Sequence, residues 1–456
     1  MIQGKVYVTK SLIDDLANAI DTRGGTTGGG TLAQLKTKVQ NIPGGGGPTY
    51  SWDDDVVFMD YDGTIVTTYT AAEFAQLTEL PANPTHEGLT AEGWNWTLSE
   101  AKTYVAANGS LIIGQQYRTT DGKTRAYITV NAETPRILMY LVSPNGEQTA
   151  TVNWGDGTEQ TYTVQTAVGM PFEHIYAAAG DYVITIQVNG QYLVRLGHSN
   201  TQSFISATTT SGVALAQGYG TVTKVEIGDK PAILVLGDNN LALKTISVPS
   251  TSVIGRVNNC GLTALVLSRA QLTIYQQMLY YCKHLKYLSI PPTVTNLASS
   301  SMNYAGVVRV HINNWSSPQA LSYNFGLRQV TINSLDTLKT SSQMLYECRA
   351  LEKVRLPSNM THIESSTFGN SGIGELTVPA TVTNIASSAF SGCRQLAKLK
   401  MLPTSPPALA NTNAFSNCPA LIIEVPYSAD HSVLAAYKTA TNWSTYANRM
   451  VESEAS

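Results

Sequence analysis

Apolar and polar positions follow three different rhythms along this chain. Between residues 9 and 42 the spacing is helical: Leu12, Ile13, Leu16, Ala19 and Ile20 make one stripe, and Leu32, Leu35, Val39 and Ile42 a second, because residues three and four apart share a helix face. Thr9 can cap the first helix, and Thr31-Leu-Ala-Gln34 has the spacing of a capping box for the second. The tract Pro43-Gly-Gly-Gly-Gly-Pro48 cannot hold regular structure and reads as a linker. Two helices this short cannot bury their stripes alone, so they need a partner surface or copies of themselves.

From residue 51 the rhythm becomes mixed. VVFMDYDGTIVTTY predicts a strand, an Asp62-Gly63 turn and a second strand. Helical stretches follow at Ala71 to Leu80 and Leu98 to Ala107, with Trp94 and Trp96 between them, and then strands at Leu111–Tyr117 and Arg125–Val130. These predict a small α+β module. Residues 136–196 alternate with period two and carry Gly-Asp turns, the pattern of consecutive half-buried strands.

The third rhythm is a repeat. From residue 222, apolar-x-x-apolar-x-apolar recurs nine times, starting at Val222, Leu243, Leu262, Leu285, Val307, Leu327, Leu351, Ile373 and Leu396, at spacings of 19 to 24 residues. PPTVTNLASSSM (291–302) and PATVTNIASSAF (379–390) agree at eight of twelve positions. Such a period predicts a solenoid in which each repeat adds one short parallel strand with its last two apolar residues in the core. Pro249, Pro291, Pro357, Pro379 and Pro426 each follow a final apolar residue and end the strand where no ladder donor is needed.

Composition narrows the function classes. Charged residues are only 13% of the chain and the net charge is −3, so nothing draws it broadly to nucleic acid or to an anionic membrane. No apolar run approaches the roughly 20 residues of a membrane span, and MIQGKVYVTKSLIDDL does not read as a secretory signal. The five cysteines, Cys260, Cys282, Cys348, Cys393 and Cys418, each lie just before the first apolar residue of a repeat. They are expected to be buried free thiols, although Cys260 with Cys282, or Cys393 with Cys418, could come within bridging distance in adjacent repeats.

Several motifs resemble known families. The consensus P-x-x-V-T-x-I-x-x-x-A-F-x-x-C-x-x-L, clearest in Phe390-Ser-Gly-Cys393 and Phe415-Ser-Asn-Cys418, resembles BspA-type leucine-rich repeats, and VPYSADHSVLAAYKTATNWSTYA resembles their closing cap. WGDGT followed by HxYxxxGxYxxxxxV resembles the polycystic-kidney-disease type of immunoglobulin-like sandwich, a fold usually used as a spacer. Asp156 in that motif reads as a turn residue rather than a metal ligand. A strand ending in Asp60-Tyr-Asp62-Gly-Thr resembles the nucleophile motif of haloacid-dehalogenase-like phosphatases, where Asp60 would attack phosphorus, Asp62 would act as acid and base, and both would help hold Mg²⁺. That chemistry needs a doubly wound sheet, which the following sequence does not predict, so a hairpin turn is the expectation.

The whole layout, with THEGLTAEGWNWTLSEAK (85–102) its most specific phrase, resembles tail-tip and tail-fibre proteins of phages that infect gut bacteria. The expected fold class is multidomain and mainly β: a helical attachment region (1–42), a Gly/Pro linker (43–50), a small α+β module (51–133), an immunoglobulin-like β-sandwich (134–198) and a capped leucine-rich-repeat solenoid (199–450). The resemblance implies a non-enzymatic virion protein, without cofactor, metal or membrane insertion. It would join other tail or baseplate proteins through residues 1–42 in several copies, leave the host by lysis, and present its repeats to a host glycan or protein. A bacterial surface adhesin is the alternative, and a phosphatase a minor one. Residues between the inward apolar positions form two outward columns, which gather Tyr287, Arg309, His311, Lys353, Arg355, Lys398 and Lys400 on one expected binding face.

Overall fold

Strands dominate the described residues, and the two helices nearest the N-terminus among them start at strong side-chain caps. The computed structural model describes residues 51–143, 146–164, 170–196, 221–236, 240–315, 320–335 and 340–454. The expected helical pair, its linker and residues 199–220 lie outside the described residues.

The α+β module has a four-stranded sheet in the order β2-β1-β4-β3, built from β1 (Val56–Met59), β2 (Ile65–Tyr69), β3 (Leu89–Trp94) and β4 (Leu111–Thr119). β1 runs antiparallel to β2 and parallel to β4. Two helices, α1 (Ala71–Gln76) and α2 (Leu98–Asn108), both begin with a complete capping box, Thr70 with Glu73 and Thr97 with Glu100, which satisfies backbone donors the first turn leaves free. Phe58, Phe74, Trp94, Trp96, Tyr104 and Leu111 form the core between helices and sheet.

The strand expected to close this module belongs to its neighbour instead. β5 (Thr124–Val130) makes no ladder with β4; it pairs antiparallel with β10 (Gly180–Val188) and with β12 (Thr221–Glu226). Together with β6 (Arg136–Val142), β7 (Gln148–Asn153), β8 (Glu159–Val164), β9 (Met170–Ile175) and β11 (Tyr192–Leu196) it builds a two-sheet sandwich. Ala126, Ile128 and Val130 alternate into the core, and that apolar face is what carries β5 across.

Both sheets of the sandwich run on into the solenoid. On one side the order is β8-β7-β10-β5-β12-β14, where β14 is Thr245–Ser247. On the other it is β9-β6-β11-β13-β15, with β13 at Ala232–Leu236 and β15 at Val253–Arg256. β12 meets the sandwich antiparallel and β14 parallel, so the first repeat is the joint. A single hydrophobic core continues from Ala126 to Met450.

Beyond the joint the main ladder comprises Ala264–Val266, Tyr287–Ser289, Arg309–Trp315, Gln329–Leu335, Lys353–Arg355, Glu375–Val378, Lys398–Met401 and Ile422–Val425. The expected repeat starts therefore match strands, and one further strand, Ile422–Val425, follows them. The end is closed as anticipated: α3 (Ser432–Thr439) and a 3₁₀ turn (Trp443–Arg449) lead into Met450–Glu452, which pairs with Ile422–Val425. Trp443 donates to Pro407 O at 2.7 Å and Tyr437 to Pro403 O at 2.9 Å, so both buried rings also satisfy their polar atoms.

Candidate recognition surface

Parallel pairing in register stacks equivalent residues into columns. Arg309 lies beside Gln329 and Lys353, and His311 beside Thr331 and Arg355. Further along, Glu375, Lys398 and Ile422 follow one column, and Thr377, Lys400 and Glu424 the other. These are the two outward columns read from the repeat, but the fold treats their two halves differently.

The first half is covered by the α+β module. Gly114 on β4 lies so close to the ladder that a Cβ there would sit 2.5 Å from a Val266 methyl and 2.9 Å from Ser289 Cβ, and one on Gly63 would sit 2.7 Å from Ala264 Cβ. Asn95 donates to Leu267 O and accepts from Gly114 N, at 3.0 and 2.9 Å. Trp96 donates to Ile290 O at 2.9 Å, and Ser289 to Ile112 O at 2.9 Å. Arg269 forks onto Glu100 at 2.8 and 3.0 Å; the Arg269 hydrogen bond is the main reason the Glu100 pKa falls to about 2. Buried groups so paired make a fixed contact.

Two residues of the expected binding face are consequently lost to it. Arg309 is 5% and His311 4% exposed, with the Tyr104 ring of α2 standing perpendicular to His311 at 6.2 Å. Burial, and secondly the Arg309 charge, hold the His311 pKa down to about 3. Tyr287 is half-buried at the margin.

The second half of the ladder remains open. Lys353, Arg355 and Lys400 are exposed and Lys398 half-exposed; with Glu375, and with Asn108 at the end of α2, they line a groove of about 1060 Å³. Glu424 takes Lys398 at 2.5 Å and Lys400 at 4.0 Å, and its carboxylate holds the Lys398 ammonium above the usual lysine range. No such ion pair engages Lys353 or Arg355 among the described residues. The face thus offers free cations beside a wall. The covering was foreshadowed by the small, uncharged Ser247, Ala264, Val266 and Ser289 of the first half; Glu424 would have emerged from reading the columns one repeat further.

The acidic motifs have structural partners. Asp60 is 3% exposed, its Oδ1 accepting from Tyr61 N at 2.8 Å and its Oδ2 lying 2.7 Å from His86 Nε2. Asp62 accepts from Thr64 N at 2.9 Å, within the β1–β2 hairpin. The sheet around them is four-stranded and mixed, not doubly wound. Asp156 accepts from Thr158 N and Oγ1 at 3.0 and 2.6 Å and lies 2.7 Å from His174, whose ring stacks on Trp154 at 4.8 Å. Burial pushes its pKa up, but the hydrogen bonds from Thr158 and His174 outweigh that and bring it to about 2. WGDGT and its distant His are one interlocked turn.

Comparison with known proteins agrees with the repeat. Solved structures similar to this chain include a leucine-rich repeat protein from Bacteroides ovatus ATCC 8483 (16% identity, 51% of this chain and 66% of that one, TM-score 0.37). Others are a leucine rich cell surface protein from Faecalibacterium prausnitzii A2-165 (16%, 54% and 93%, TM-score 0.23) and the pneumococcal vaccine antigen PcpA (14%, 59% and 95%, TM-score 0.24). No curated protein matches. Residues 239–324 and 317–437 match the BspA type leucine rich repeat region, in six copies. Over residues 239–437 the solenoid thus matches BspA-type leucine-rich repeats.

Proposed function

We propose that this chain is a non-enzymatic tail-tip or tail-fibre protein of a phage, attached to the particle through residues 1–42 and presenting its repeats to the host surface. The sandwich, read as an immunoglobulin-like spacer, and the docked module hold the ladder out as one arm. One observation supports the recognition role above others: the module takes the first half of the ladder and leaves Lys353, Arg355, Lys398 and Lys400 beside an open groove. Lys353 and Arg355, which no ion pair engages among the described residues, with Lys398 and Lys400 sharing the single Glu424 carboxylate, suit an acidic polymer such as a wall or capsular glycan. Each contact is weak and screened by salt, so avidity comes from several sites and several copies.

Replacing Lys353, Arg355, Lys398 and Lys400 together with Ser should cut adsorption to host cells at low salt more than at moderate salt. Unchanged adsorption by a folded variant would remove the ladder from the reading. Deleting residues 1–48 should leave the remainder folded but absent from purified particles. BspA-type repeats also favour a bacterial surface adhesin; recovery from the envelope of uninfected cells, and not from particles, would establish that reading instead. Under either, Asp60→Asn changes no Mg²⁺-dependent phosphatase activity, because none is present to lose.

A further inference from the structure

The sulfurs of Cys260 and Cys282 lie 3.3 Å apart. Both side chains are buried, at 1% and 0% exposure, and both are free thiols. Their coils are held in register on the N-terminal side of Cys260, where Val257 N donates to Met278 O at 2.9 Å and Asn259 N to Tyr280 O at 2.8 Å. Bond formation needs the two sulfurs to close from 3.3 Å to about 2.05 Å, the length of a disulfide bond. The other repeats do not offer this. Cys282 donates to Val257 O at 3.0 Å, as Cys393 does to Phe368 O at 2.9 Å and Cys418 to Phe390 O at 3.1 Å, but among the described residues only the Cys260–Cys282 pair adds a second sulfur at contact distance. Cys348 likewise faces Leu321 O at 3.3 Å.

We propose that Cys260 and Cys282 are a disulfide-forming pair that staples the first free coils of the solenoid once the protein meets an oxidising disulfide pool. The contact with the Cys282 sulfur holds the Cys260 thiol below the usual cysteine range, which makes Cys260 the first nucleophile. Its thiolate attacks one sulfur of a small disulfide such as glutathione disulfide and releases one small thiol. The Cys282 thiolate then attacks the Cys260 sulfur of the mixed disulfide and releases the second. Two protein thiols are oxidised, one small disulfide is reduced to two thiols, and the two protein protons pass through solvent to the departing thiolates. Burial makes the first attack wait for local opening of the coil, so closure is slow in the native protein and persists once made. A reducing cytoplasm keeps the pair open.

The test uses the full chain purified under reductant, then incubated in native buffer with glutathione disulfide, alkylated, and analysed by non-reducing peptide mass spectrometry. The expected result is loss of two of the five alkylatable thiols and a linked peptide pair, two hydrogens lighter, joining Cys260 to Cys282. Cys260→Ser should abolish the link and Cys393→Ser should not. Because a serine variant can destabilise the coil, the unsubstituted protein is also followed over time for slower proteolysis and a higher Tm as the link accumulates. Five reactive thiols after prolonged incubation just below Tm, a link between Cys393 and Cys418 in its place, or stable glutathione adducts on Cys260 would each overturn the assignment.

Discussion

The ring of His311 has no hydrogen-bond partner on either nitrogen among the described residues, although it is buried between the ladder and α2 with Arg309 and Tyr104 as its titratable neighbours. Its pKa falls from 6.5 to about 3 on folding, so between those values the unfolded chain binds the extra proton. Stability from this group is therefore complete above pH 6.5 and is lost as pH falls towards 3, on the order of 2 kcal/mol by pH 5 at about 1.4 kcal/mol per unit. His311→Phe should be neutral or stabilising at pH 7 and should flatten that slope in chemical denaturation. A second residue-scale conflict lies in Tyr281, Tyr304 and Tyr323, all with φ near +60°. The equivalent place in other repeats holds Asn259, Glu347, Asn370, Gly392 and Asn417, so Asn or Gly fills it in four of those five. Left-handed backbone costs such a residue roughly 1–2 kcal/mol, while stacking of the Tyr304 ring at 4.6 and 4.7 Å on its two neighbours returns about 0.5–1.5 kcal/mol per pair. Tyr304→Asn should thus shift stability by less than about 1 kcal/mol, whereas Tyr304→Val keeps the strain without the stack and should cost about 2 kcal/mol or more.

At the scale of elements, the module is fixed by the close approach of β4 to the ladder. Gly114→Ala places a methyl against Val266 and Ser289, both anchored on short strands that cannot retreat. Overpacking of this kind costs about 1–3 kcal/mol, and the strain should appear as faster proteolysis within residues 55–119 while the C-terminal repeats stay protected. The capping boxes were legible in the sequence because they are local; the second task of Glu100, holding Arg269, was not, since the two residues are far apart in the chain. β5 shows the same limit. Its alternation marked it as a strand, yet which sheet would receive it depended on the apolar faces of strands remote in sequence.

For the whole molecule, the sandwich serves as the N-terminal cap of the solenoid. An array of repeats exposes a core cross-section and unpaired strand edges at each end. Here β5 and β11 cover the first coil, and Met450–Glu452 with Trp443 covers the last. A chain beginning at residue 240 should therefore aggregate or fold poorly, while one beginning at residue 51 should be monodisperse by light scattering and lose sandwich and first repeats in one cooperative thermal step. Survival of the solenoid alone as a stable monomer would contradict the shared core.

The sequence by itself determined whatever repeats or is local: the period of the solenoid, the two outward columns, the proline strand ends, the closing cap, the Asp-Gly hairpin and the burial of the cysteines. Each follows from side-chain periodicity or turn chemistry, which act over a few residues and leave a visible pattern. Only the tertiary structure decided which half of the ladder is free, that Arg309 and His311 are buried, that Cys260 rather than Cys393 faces a second sulfur, and that the sandwich sheets continue into the repeats. Those outcomes depend on the docking of surfaces distant in sequence, where shape and desolvation choose among partners that periodicity alone leaves equivalent.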